Sequence, residues 1–303
     1  MAQQAVTKRQ HIRKSRGDLA FYITINAILA ILSLIIFYPL LYIVSSSFSS
    51  GAAITAGKVI LWPVDFSLEG YKAVFSNKNI GIGYRNTLFY TVVGTCINVM
   101  MTMVCAYPLS RKDMPYRGFF MFLFTFTMFF NGGLIPTYFT IRDFHLYDTF
   151  WVMVLPFSVM VYNMIVARTF FDSSLPKDLL DAAQIDGCGN LRFFFSIALP
   201  LSKAVIAVIA LYIAVAQWNS YFNALVYVRS ENLKPLQLVV RNILITNQSL
   251  VGAGDGMAAQ EAMRLANLMK YAVIIITTVP IMCMYPFVQK YFSQGVMIGA
   301  IKG

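Results

Sequence analysis

Six runs of predominantly apolar residues, at about 19–44, 87–109, 118–140, 149–170, 200–222 and 271–289, dominate the 303-residue chain. Each approaches or exceeds the ~20 residues that an α-helix needs to cross ~30 Å of hydrocarbon at 1.5 Å per residue. Backbone groups in lipid must satisfy one another, so runs of this kind are helices, and none shows the two-residue alternation of a transmembrane barrel strand. The expected fold class is an all-α polytopic membrane protein with about six transmembrane helices. Composition agrees: 58% of residues are apolar and 12% charged, with a mean hydropathy of +0.65. A soluble domain is about a quarter charged. Disordered chains and disulfide scaffolds are excluded by the same figures.

The net charge of +11 would suit a nucleic-acid binder. It falls, however, in the gaps between the apolar runs, where membrane proteins carry Lys and Arg for topology and lipid contact. Lys8, Arg9, Arg13, Lys14 and Arg16 precede the first run, and Arg111, Lys112 and Arg117 separate the second and third. Both termini are therefore expected in the cytoplasm, with 45–86 and 223–270 outside and 171–199 inside. Residues 1–18 form a basic cytoplasmic segment and 19–303 one membrane domain. The first run is too long for a signal-peptide core of roughly 7–15 residues and reads as a retained span, tilted or bent at Pro39. Cys96, Cys105, Cys188 and Cys283 form no CxxC pair, and the two histidines, His11 and His145, are far apart. No metal site is expected.

The segment 173–200, SSLPKDLLDAAQIDGCGNLRFFFSIALP, carries the most information. Ser174 ahead of Pro176, with Asp178 in the first turn, reads as a helix start. Gly187 and Gly189 stop that helix, and an aromatic second helix runs from Arg192 through Leu199-Pro200 into the fifth span. The paired alanines offer a small face to another protein's backbone. The alternative is an amphipathic helix resting on lipid headgroups.

Asp181-Ala182-Ala183, three residues, Gly187, nine residues, then Ile197-x-Leu199-Pro200 resembles the EAA loop of ABC importer permeases at every spacing. Asp186 extends the match, Asp181 stands for the usual Glu, and Ala204 stands where a second proline is common. Trp218-Asn219-x-Tyr221-Phe222-Asn223 and the terminal Gln289 to Gly303 resemble carbohydrate importer permeases, closest to the smaller permease of maltose-type systems. Asn131-Gly132-Gly133-Leu134-Ile135-Pro136-Thr137-Tyr138 resembles a subgroup handling complex oligosaccharides, some containing uronic acids.

The resemblance implies a type I ABC importer permease fold in a bacterial inner membrane, with a cytoplasmic coupling helix. The implied partners are a second homologous permease, two ATP-binding subunits and an extracytoplasmic solute-binding protein. It also implies alternating access driven from outside this chain, with ATP and Mg bound by the ATPase partners. The chain itself has no GxxxxGK[ST] phosphate loop, and Gly132-Gly133 and Gly81-x-Gly83 read as turns or close helix contacts. Neither a catalytic site nor a cofactor is expected in it. For coupling the candidates are Asp181, Ala182, Ala183, Asp186, Gly187, Ile197, Leu199 and Pro200.

Polar and aromatic residues within spans tend to face a cavity or a partner. Asn131, Tyr138, Tyr162, Asn163, Gln217, Trp218, Asn219 and Asn223 are thus candidate sugar contacts, with interfacial anchoring or interhelical bonding as the alternative. A secondary transporter would instead show charged relay residues inside its spans, and a membrane enzyme a titratable cluster.

Overall fold

The computed structural model describes residues 15–250, 264–283 and 286. The basic residues Lys8 to Lys14, the acidic Asp255 and Glu261, and the motif from Gln289 to Gly303 lie outside them. The described residues form helices joined by turns and irregular stretches, with no strand among them. Helix α1 (Arg16–Ser47) is a single helix containing Pro39, and only Ser45, Ser46 and Ser47 of it are buried. It begins within the basic segment, where the Ser15 backbone N–H donates to Asp18 at 3.1 Å. Two short helices, α2 (Gly51–Thr55) and α3 (Glu69–Ser76), follow on a loop folded against the end of α1.

Helix α4 (Lys78–Ser110) is the axis of the bundle. At 33 residues it is about 50 Å long, and it packs along α7 (Val161–Ser174), α11 (Lys203–Trp218) and α13 (Leu236–Leu250). Helix α14 (Arg264–Cys283) is long and apolar enough to cross a membrane, as are α1 and α4. Arg264 donates to both carboxylate oxygens of Glu69, at 3.1 and 2.7 Å, tying the start of α14 to α3.

Three of the six expected spans are not continuous helices. The run 118–140 forms α5 (Arg117–Phe129) and α6 (Leu134–Asp143), bent by 116°. The break falls at Asn131-Gly132-Gly133, where Gly133 adopts φ +82°, a left-handed backbone that other residues resist. The run 149–170 holds a 3₁₀ turn, Phe150–Met153, then an irregular stretch through Pro156, and becomes helical only at Val161. Before the fifth span, the segment Asn190–Leu201 meets α11 at 80°. Apolar content sets where a chain enters lipid; glycine and proline within the run set where its helix breaks.

The 223–270 stretch, expected as a loop, carries α12 (Phe222–Tyr227), a 3₁₀ turn and α13. Leu236, Leu238, Val239 and Val240 are buried. Among the described residues α13 runs from Leu236 to Leu250.

A helix carried on an aromatic base

The candidate coupling segment begins where α7 ends. Ser174 belongs to that helix, and the next one, α8 (Lys177–Ile185), starts after Pro176 with no side chain capping it. Asp178 lies in its first turn, favoured by the positive end of the helix dipole. The far end is a Schellman cap. The Gly187 N–H donates to Gln184 O at 3.0 Å and the Cys188 N–H to Ala183 O at 2.8 Å. Gly187 holds φ +75°, with nothing near enough to crowd a side chain.

The chain then turns back through α9 (Asn190–Phe193), a π-helical turn over Phe194–Ala198 and α10 (Leu199–Leu201). Pro200 has no N–H for the carbonyl four residues earlier, which accounts for a widened turn there. The aromatic helix is therefore present as expected, but Ser202 separates it from the fifth span.

The segment rests on its own bundle. Ala183, Phe193, Phe194 and Ala198 are buried in one cluster with Tyr107 of α4 and Phe171 of α7, and Leu179, Leu180, Cys188, Ile197 and Leu199 pack around it. Tyr107 is the hub. Its ring stands edge-on to Phe171 at 5.6 Å and lies against Phe194 at 5.1 Å and Phe193 at 6.3 Å. The Arg168 Nε donates to the Leu109 carbonyl at 2.9 Å, binding α7 to the last turn of α4.

Arg111 donates through Nε and Nη2 to Asp113 and through Nη1 to Asn190 Oδ1 at 2.7 Å, which fastens α9 to the end of α4. The hydrogen bonds to Asp113 raise the Arg111 pKa further above its ordinary value and lower that of Asp113. Between α8 and the ends of α4 and α7 is a cavity of about 750 Å³, lined in part by Tyr107, Arg111, Asp172, Lys177, Asp181 and Gln184.

This packing divides the paired alanines. Ala183 faces the base and is buried, whereas Ala182 is exposed together with Asp178, Asp181, Gln184 and Asp186. Ile185 is 87% exposed and Leu191 77%. The outward surface of α8 is acidic with an aliphatic tip. Pro200 is exposed, and Ile197 and Leu199 are half-buried. Sequence reasoning overlooked Tyr107 and Arg111. The first looked like one of many aromatic residues in a span, the second like a topology charge.

Of the candidate sugar contacts, Gln217, Trp218 and Asn219 end α11. Trp218 is 2% exposed, and its Nε1–H donates to the Thr277 carbonyl at 3.1 Å, joining α11 to α14. Gln217 is half-buried against Gly94 of α4. The Asn219 amide donates to Val215 O at 2.9 Å within its own helix. Tyr138 stacks on Tyr227, bringing α6 onto α12, where Asn223 sits half-buried. Asn131 accepts from the Gly133 N–H at 3.0 Å, which shapes the α5–α6 bend. Tyr162 is exposed and Asn163 buried at the start of α7. These eight do not form a single cluster.

Helix α8 thus rests on its own bundle and turns an acidic face outward. Residues 79–298 match the family model "Binding-protein-dependent transport system inner membrane component". The chain belongs to this family. It is 40% identical over 265 residues to the Bacillus subtilis protein LplC, covering 88% of this chain and 89% of that one. The B. subtilis polygalacturonan/rhamnogalacturonan transport system permease protein YtcP is 36% identical over 287 residues, covering 93% and 98%.

A solved chain of a bacterial ABC transporter involved in the import of the acidic polysaccharide alginate superposes with a TM-score of 0.84 at 34% identity, over 92% of this chain and 99% of that one. The permease is thus an inner-membrane component with the type I importer fold. As in its family, it works with another permease, an ATPase and a binding protein.

Proposed function

We propose that this permease is one half of the pore of an importer for acidic, uronate-containing oligosaccharides. Two ATPase subunits, which bind ATP and Mg, drive it through α8. A second, homologous permease completes the pore, and an extracytoplasmic binding protein delivers the sugar. Both termini and the 171–199 segment lie in the cytoplasm, on the side that the Lys and Arg distribution assigns.

One observation carries the coupling part of this reading. Helix α8 is anchored inward by Ala183, Leu179 and Leu180 and presents Asp178, Asp181, Ala182 and Ile185 outward. A push on that face passes through the Tyr107–Phe193–Phe194 stack into α4 and α7. Gly187 and Asp186 end the helix sharply, so that it moves as one rigid piece. Pro200, Ile197 and Leu199 form the elbow that passes the motion on to α11. The acidic substrate class is supported by the polygalacturonan/rhamnogalacturonan relative and by the alginate transporter.

The test is uptake of labelled oligogalacturonate and oligoalginate into proteoliposomes holding the complete complex with ATP inside the cytoplasmic face. ATP-dependent uptake of either one, abolished without the binding protein, is expected. Uptake of only neutral oligosaccharides would overturn the acidic assignment, and ATP-independent uptake would favour the secondary-transporter reading.

A further inference from the structure

Helix α4 carries a buried polar stripe whose two halves behave differently. In the half nearer Lys78, polar side chains are paired. The Asn86 amide donates to the carbonyls of Asn232 and Lys234 at 2.7 and 3.0 Å. The Thr87 hydroxyl accepts the Leu236 N–H at 2.8 Å, and the Tyr90 hydroxyl donates to Leu233 O at 2.8 Å. From Thr91 to Thr102 the pairing stops, and it resumes at Ser110, whose hydroxyl donates to the Tyr107 carbonyl at 2.6 Å.

Thr91, Thr95, Asn98 and Thr102 follow at intervals of four, three and four residues, which places them on one face of the helix. Among the described residues, neither amide atom of Asn98 has a hydrogen-bond partner, and nor do the hydroxyls of Thr91, Thr95 and Thr102. Asn98 is 1% exposed. Gly94 lies on the same stripe, where the Gln217 side chain of α11 comes so close that a Cβ would sit 3.0 Å from its Nε2. The stripe therefore lies against the α11 interface, not against lipid.

A threonine inside a helix can turn its hydroxyl to a carbonyl of the preceding turn, so the threonines alone decide nothing. Asn98 has no such outlet for both of its atoms. An apolar residue of similar size would serve packing better, because an unmade hydrogen bond in a buried site is a cost with no return in this arrangement. Polar groups held inside membrane domains mark pathways for polar cargo. A transporter that alternates between two packings of the same helices can satisfy in one packing the groups it strands in the other.

We propose that Thr91, Thr95, Asn98 and Thr102, with Gln217 across from them, form a saccharide-facing lane between α4 and α11 that is shut in the packing described here. An amide that both donates and accepts, flanked by hydroxyls at one-turn intervals, suits a ligand rich in hydroxyl groups. The lane extends the importer reading given above and rests on it. Of its residues only Gln217 stood out in the sequence as a substrate candidate; the α4 members are added by the structure.

The test uses the complete complex in lipid. Asn98→Cys is introduced after Cys96, Cys105, Cys188 and Cys283 have been replaced by alanine, and reaction with a small methanethiosulfonate reagent is timed in the nucleotide-free and ATP–vanadate-trapped states. The expected result is a rate that differs at least tenfold between the two states. Equal rates, whether both slow or both fast, overturn the lane.

Asn98→Leu supplies an independent readout. It is expected to raise the melting temperature of the nucleotide-free complex and to lower saccharide uptake at least fivefold; a melting temperature that is unchanged or lower overturns the proposal. Wild-type uptake in the same vesicles tests the importer reading separately. If it is intact while the thiol at position 98 reacts equally in both states, only the lane falls.

Discussion

Asp148 grips Ser230 by both ends of its carboxylate: the Ser230 backbone N–H donates to Oδ1 at 2.8 Å and the Ser230 hydroxyl to Oδ2 at 2.6 Å. The Arg229 N–H adds a third bond to Oδ1 at 2.8 Å, and the Asp148 N–H returns one to Tyr227 O at 2.9 Å. Eighty-two residues of chain are closed by this clasp, which fixes the stretch after α6 to the end of α12. What burial there is works against the charge on Asp148, but the bonds from Ser230 and Arg229 outweigh it and hold the carboxyl below its ordinary pKa.

Asp148→Asn offers an N–H₂ group where donors converge. It is expected to lower the hydrogen-exchange protection of the Arg229 and Ser230 amides by about tenfold, the worth of one bond to a charged acceptor. Because the folded-state pKa is depressed, the clasp is at full strength above the ordinary Asp value of about 3.9 and is lost as pH falls through the lower folded value. Protection corrected for intrinsic exchange rates, measured from pH 7 down to pH 3, should therefore stay flat until the acid end. A decline that begins near neutrality would contradict the assignment.

Arg111 joins the end of α4 to α9 with one planar fork that holds Asp113 and Asn190 together, which a lysine cannot copy. Arg111→Lys keeps the charge and gives up the simultaneous bonds to Asp113 and Asn190. The expected outcome is a several-fold fall in binding-protein-stimulated ATP hydrolysis, with the amount of complex inserted in the membrane unchanged. Asn190→Ala should give part of the same loss. Full stimulation in both variants would show that fastening α9 to α4 plays no part in coupling.

Trp218 is separated from the other candidate contacts by what it touches. Its ring lies edge-on to Tyr84 at 6.2 Å, and its N–H is committed to the Thr277 carbonyl. Trp218→Phe keeps the ring and removes the bond, at a cost of about 1 kcal/mol. The melting temperature of the complex should fall while the apparent KM for saccharide stays the same. A higher KM at unchanged stability would instead place the ring on the sugar.

Sequence and structure agree most where spacing alone carries information. In the segment from Asp181 to Pro200 the helix stop expected at Gly187 is there, as a left-handed turn. The spans were legible as lengths of apolar sequence, but their breaks were not, since Gly133 and Pro156 do not change mean hydropathy. Residues defined by long-range partners stayed hidden. Tyr107 draws its role from Phe171, Phe193 and Phe194, which lie 64 to 87 positions away, and Asn98 is notable only because no described residue answers it.

The division between Ala182 and Ala183 gives the sharpest test of how α8 works. Ala183 is 8% exposed and belongs to the cluster under the helix, so Ala183→Leu must lift α8 off its base. Ala182→Leu enlarges only the outward face. The first variant should make the loop more sensitive to trypsin at Lys177 and Arg192 before any ATPase is present; the second should leave that cleavage unchanged and reduce co-purification of the ATPase. Gly187 completes the series. Gly187→Ala meets no neighbour and bears only the left-handed backbone penalty of about 1–2 kcal/mol. Gly187→Pro also loses the N–H that donates to Gln184 and cannot adopt the φ of +75°. Stimulated ATP hydrolysis should therefore fall in the order wild type, Gly187→Ala, Gly187→Pro. If the proline variant matched wild type, the sharp end of α8 would have no part in coupling, and the helix would act through its outward face alone.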